Sequence, residues 1–185
     1  MLFRSGDDQK DLFQDDNTPA LAIYFGEEIP YIPRQMRPGT TMAAAMSAYP
    51  QEAMQFPCAH DLALHMIGSF MEQGVDVAHC KSFPEGQSVP NAWAFVYHRV
   101  MNSKPIPTVL VLRNTYYPPA QPTPKRSYEY GLAIRTAVET WNSHARVGVL
   151  ATGGLSHFVI DEELDRSVLA AMQEKDADTD RKSVV

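Results

Sequence analysis

The chain has little cysteine: two residues in 185, Cys58 and Cys80, with neither metal-ligand nor redox spacing. That argues against a disulfide-stapled scaffold and a thiolate metal cluster, and predicts free thiols in a reducing cytoplasm. Clustered positive charge is also missing. Sixteen Lys and Arg against 22 Asp and Glu give a formal net charge of −6, and no basic stripe breaks the pattern, so a nucleic-acid partner is not expected. No apolar run is long enough for a membrane span. Residues 1–10 turn acidic at once and lack the apolar core of a secretory leader.

What is present is ordinary for a globular domain: 44% hydrophobic and 21% charged residues, on a chain long enough for one domain with a real core. Pro19 to Gly26 reads as a strand. Residues 27–57, rich in Pro, Met and Gly and without a period, predict an irregular excursion. Ala59 to Gln73 predicts a helix, with Leu62, Met66 and Phe70 on one stripe, Ala63, Ile67 and Met71 beside it, and Gly74 just past its end. Val75 to His79 predicts a strand and Pro84 to Pro90 a loop. Trp93 to Met101 predicts a short aromatic helix, with Trp93, Phe95 and Tyr97 in the core. Thr108 to Leu112 reads as a buried strand and Tyr116 to Pro124 as a proline-rich loop. Ser127 to Trp141 predicts a helix with Leu132 and Val138 facing in. Val147 to Ala151 predicts another strand, and Asp161 to Lys175 a last helix with Leu164, Val168 and Met172 inward. Strands alternating with helices predict an α/β fold: one domain, a largely parallel or mixed sheet, helices on its flanks.

The richest stretch is Gly153-Gly154-Leu155-Ser156-His157, directly after that last apolar run. Glycines let backbone approach a ligand, and a histidine titrates near neutral pH. The acidic residues from Asp161 onward suit the first turn of a helix. A tight strand-to-helix turn with a solvated histidine explains the same residues equally well.

Five pieces in order carry a resemblance: Gly6-Asp7-Asp8-Gln9 followed by Phe13 and Pro19; Glu85-Gly86 followed by Val89-Pro90 and Phe95; Tyr116-Tyr117-Pro118-Pro119; Gly131 and Arg135; and Gly153-Gly154-Leu155-Ser156-His157. Together they resemble the class III extradiol ring-cleavage dioxygenases of the protocatechuate 4,5-dioxygenase catalytic (beta) subunit type. The resemblance implies an oxidoreductase of aromatic catabolism. It would open a catechol-type ring beside the diol, with Fe(II) as cofactor and O₂ as co-substrate. In that family two histidines and a glutamate hold the iron. His157 matches the family's catalytic histidine, and acid/base work is expected of it. The resemblance places Ser156, Gly154, Glu85 and Tyr117 in the substrate site. Gln9 stands where the family has a histidine ligand, and Glu85 where it has a histidine before a glycine. The other ligands would fall outside the chain. A homo- or hetero-oligomer is compatible with all of this.

Other residues offer no obvious metal site. His60 and His65, five apart, do not share a helix face. His79, His98 and His144 read as surface or satisfied histidines. Asp7, Asp8, Asp11, Asp15 and Asp16 lack the glycine and glutamate of a calcium loop. Two other functions stay open: a non-catalytic relative that binds aromatics or a partner subunit, and a hydrolase using Ser156 and His157, though no Gly-x-Ser-x-Gly elbow is present. Leu2-Phe3-Arg4-Ser5 and Asp180-Arg181-Lys182-Ser183 can be encoded by one short DNA string read on opposite strands, a string of the sequencing-adapter kind. This predicts that residues 1–5 and 180–185 are extraneous and that 6–179 form an incomplete copy of the domain. Exposed apolar surface and self-association would follow.

Overall fold

A computed structural model of the chain describes residues 4–5, 12–14, 16–33, 49–104, 106–115, 117–151, 155–156 and 159–176. The fold is α/β, as expected, and its sheets are mixed. Strands β1 (Arg4–Ser5), β2 (Leu21–Tyr24), β3 (Glu28–Tyr31) and β4 (Met54–Pro57) precede helix α1 (His60–Glu72). Then follow β5 (Ala78–Cys80), α2 (Asn91–Phe95) with a π-helical turn (Val96–Val100), β6 (Leu110–Arg113), α3 (Pro124–Thr140) and α4 (Glu162–Glu174).

The main sheet has the order β1-β6-β2-β5. β2 runs antiparallel to β6, with Leu21 opposite Arg113 and Tyr24 opposite Leu110. It runs parallel to β5, with Tyr24 opposite Cys80. β1 runs parallel to β6, with Ser5 opposite Arg113. β1 and β6 therefore end at one edge of the sheet, and β2 and β5 at the other.

Every residue of β2 is buried, because both faces of the sheet are covered. Ala22, Tyr24, Leu110 and Leu112 face an aromatic layer of Tyr31, Tyr49, Phe56, Trp93 and Tyr97. Within it Phe56 stacks on Tyr97 at 4.2 Å between ring centroids. Leu21, Ile23, Val109 and Val111 face the opposite layer, built from Leu62, Met66 and Phe70 of α1 and Tyr130, Ala133, Ile134 and Ala137 of α3. The Leu62, Met66, Phe70 stripe is thus the buried one, as its period predicts. α1 stops where expected: Gly74 takes φ of +71°, Val75 N–H reaches the Phe70 carbonyl and Gly74 N–H that of Met71. These two bonds make a Schellman motif.

Several expectations fail for identifiable reasons. The excursion at 27–57 contains an antiparallel pair, β3 with β4, in which Ile29 meets Phe56 and Tyr31 meets Met54. The period-two signal of Ile29, Tyr31 and Phe56 is masked by Pro30 and Pro57, which are tolerated in a two-stranded pair. Residues 34–48 of the excursion lie outside the described residues. Val147 to Ala151 is not a strand: Val147 packs on the α1–α3 layer and Leu150 on the aromatic layer, without joining a ladder. Phe95 is half exposed while Trp93 and Tyr97 are buried, since i, i+2 and i+4 cannot share one helix face. Leu132 also points outward, and Tyr130, Ala133, Ile134 and Ala137 form the inner face of α3. That helix starts three residues early because Thr123 caps it and Pro124 suits its first position. Among the described residues no helix is long and apolar enough to cross a membrane.

Candidate functional site

Two polar turns carry the residues that the sequence singles out and the structure describes best. The first follows β6. Asn114 is fully buried, and its backbone N–H is held by the Ala20 carbonyl at 3.0 Å. Its side chain brackets one residue: Oδ1 accepts the Tyr117 N–H at 2.8 Å and Nδ2 donates to the Tyr117 carbonyl at 2.6 Å. The loop continues through a cis Pro118–Pro119 bond, and Arg113 Nη1 donates to Ser127 Oγ, tying the end of β6 to the first turn of α3. Tyr117 is thereby fixed at the sheet edge where β1 and β6 end. Ser5 pairs with Arg113 at the same edge. Gln9 itself lies outside the described residues, as does Tyr116.

The second turn opens α4. Asp161 caps the helix by accepting the Leu164 N–H at 3.0 Å. Ser156 Oγ accepts the Asp161 N–H at 3.1 Å and gives its own proton to Asp165 Oδ2 at 2.9 Å. A serine used in this way shapes a turn, and its proton is directed to Asp165. Gly153, Gly154 and His157 lie outside the described residues.

Glu85 sits elsewhere. It is exposed, in a turn closed by Gln87 N–H on the Pro84 carbonyl at 3.1 Å. This loop leaves the sheet at the end of β5, the edge opposite the Tyr117 turn. Ser88 anchors it by accepting the Ile32 N–H at 3.0 Å. Beside it lies a cleft of about 480 Å³, lined by Tyr24, Glu27, Glu28, Lys81, Phe83 and Gln87 among others. Tyr24 donates to the Glu28 carbonyl at 2.7 Å. Burial first, then the neighbouring thiols of Cys58 and Cys80 and the Glu28 carboxylate, push its phenol up to about 12. Gly26 is needed there, since a Cβ on it would stand 2.6 Å from the Lys81 carbonyl.

The histidines of α1 are structurally occupied. His60 Nδ1 donates to the Phe25 carbonyl at 2.7 Å, and His65 Nε2 to that of Ala137 at 2.9 Å. Among the described residues no three His, Cys, Asp or Glu side chains are placed to hold a metal ion. A two-histidine, one-carboxylate centre is therefore not assembled by them. Sequence reasoning missed Asn114 and Asp165. Asn114 reads as a turn-former after a strand and Asp165 as one acidic residue of a first helical turn, and neither signal separates a buried side chain from a solvated one.

A mixed α/β sheet with polar turns at its strand ends is an architecture that holds small-molecule sites. The family model described as the catalytic LigB subunit of aromatic ring-opening dioxygenase matches residues 18–179, and the chain belongs to that family. At family level it is an aromatic ring-opening dioxygenase, an oxidoreductase whose reactants are a small aromatic molecule and O₂. No curated protein matched the chain.

Proposed function

We propose that the chain acts in extradiol cleavage of a catecholic ring, with Fe(II) as cofactor, O₂ as co-substrate and His157 as the acid/base residue. What carries this reading is the anchored turn inside the matched segment: Ser156, held by Asp161 and Asp165 at the head of α4, directly precedes His157. A neutral imidazole on that turn can take a proton from a substrate hydroxyl and return it later. Tyr117, with both backbone polar groups satisfied by Asn114, offers an aromatic wall in a fixed place. Gly154 allows close approach of backbone, whereas Glu85, on the loop at the opposite end of the sheet from Tyr117, is left out of this site. Ferrous iron, when bound, supplies the electron exchange between diol and O₂. Its ligand set is not assembled by the described residues, and Gln9 remains the proposed ligand position outside them. A reducing cytoplasm suits both ferrous iron and two free thiols.

The test is O₂ uptake after anaerobic loading with ferrous iron, by a protein that carries this chain's residues together with the remaining iron ligands, using protocatechuate as the probe catechol. Uptake with ring-opened product is expected there, and His157→Ala should lower it by about 10²–10⁴-fold while iron content is unchanged. Equal turnover in the variant overturns the role of His157. Catechol binding without O₂ uptake would make the chain an aromatic-binding relative instead.

A further inference from the structure

Helix α4 carries an apolar stripe that its own fold does not cover. Its buried residues, Val168 and Ala171, belong to neither layer over the main sheet. Leu169 and Met172, three apart, share one face of the helix and are 57% and 56% exposed. On α3 the reverse holds, and a recess lacks an occupant. An apolar groove of about 340 Å³ is lined by Ile134 and Val138 of α3 and by Val147 and Val149 of the segment after it. Gly131 also lines it, and a Cβ there would meet nothing within 4 Å. A glycine inside a helix costs about 1 kcal/mol against alanine, and here it leaves room in the groove. Ile134 and Val138, four apart, form the kind of row between which the side chains of a second helix pack. Among the described residues no side chain of α4 enters this groove.

Charge makes the two surfaces complementary. On α3 the pairs Arg126–Glu129 and Arg135–Glu139 are internal. That leaves Lys125 and Arg146, the latter directly before Val147, without an ion-pair partner among the described residues. On α4 Arg166 pairs with Glu162, which leaves the exposed Glu163 and Glu174 unpaired among the described residues. The spare charge is basic beside the groove and acidic on the helix. Exposed pairs of this kind add little affinity, but they decide which surfaces meet.

We propose that the groove receives the Leu169 and Met172 stripe of a second copy of this chain, the two copies exchanging α4 about a two-fold axis. One helix in one groove is a small contact. Exchange forms it twice and closes the assembly, where a one-way contact would continue into a filament.

Cross-linking between unlike variants tests this. Val149→Cys marks the groove and Met172→Cys marks the helix. Both positions are more than half exposed, so neither change disturbs the core. The native chain supplies the background, because burial pushes the Cys58 and Cys80 thiols up to about 12. The two variants are mixed and treated with a short bismaleimide at a concentration where sedimentation shows association. A covalent dimer should form in the mixture and exceed its yield in either variant alone several-fold. Adding Leu169→Lys to the Met172→Cys chain should abolish it. Because the two cysteines lie on different chains, an α4 seated in its own groove gives no such dimer and overturns the proposal. Cross-links in Met172→Cys alone, showing α4 against α4, overturn it too. So do equal yields in all three samples, or a native chain that never associates.

Discussion

Asn114 shows how much one side chain can decide at the end of a strand. It satisfies both backbone polar groups of Tyr117 while fully buried. Asn114→Ala leaves those groups to find other partners and should cost about 1–3 kcal/mol, read as a lower urea midpoint with an unchanged slope. An unchanged midpoint would mean that the turn holds without its bracket. The cysteines test burial from another side. Cys58 and Cys80 are free, and burial pushes the Cys80 thiol from 9.0 up to about 12. A raised thiol pKa means less thiolate. At pH 8 the native thiol should therefore react with iodoacetamide about 1000-fold more slowly than in the denatured chain. Comparable rates would show that Cys80 is neither shielded nor shifted. The sequence makes these thiols legible as unpaired, yet it hides that both cysteines lie close enough to Tyr24 to raise its phenol.

Among the elements, those with a long apolar period are legible and those that depend on distant partners are not. α1 is legible to within a residue at each end, because Leu62, Met66 and Phe70 recur every fourth residue and Gly74 punctuates the end. β3 and β4 are hidden, because their pairing spans 24 or more residues and each contains a proline. The apolar run at 147–151 misleads for the opposite reason: its composition suits a strand, but a strand exists only if a neighbour completes the ladder. The stop of α1 offers the element-scale prediction. Gly74 sits at φ +71° with open space around its Cβ position, so Gly74→Ala meets only the backbone penalty of the left-handed region, about 1–2 kcal/mol. For a chain of this size that is a fall in Tm of a few degrees, measurable by calorimetry. A larger fall would implicate the Val75 contact with Phe70 as well.

At the scale of the molecule the two layers over the main sheet are well filled, and α4 is the exception. It buries only Val168 and Ala171, while Leu169 and Met172 stand more than half exposed, and Val159 and Ile160 just before it are 81% and 68% exposed. An amphipathic period read from sequence places Leu164, Val168 and Met172 on one face. It cannot say how much of that face a partner layer reaches, and here Met172 is left in water. Apolar side chains exposed together favour association, and a formal charge of −6 opposes it at low salt through repulsion between copies. The two effects separate by ionic strength, since salt screens charge within about 10 Å at 0.1 M but leaves apolar attraction in place. Sedimentation velocity should therefore show self-association that grows with concentration and with added salt. Leu169→Lys combined with Met172→Lys should return the chain to monomer without lowering its Tm, because neither residue is buried. If the native chain stays monomeric at every salt concentration, the exposed face of α4 is too small or too dispersed to drive association. If association weakens with salt, charge and not apolar surface is its cause.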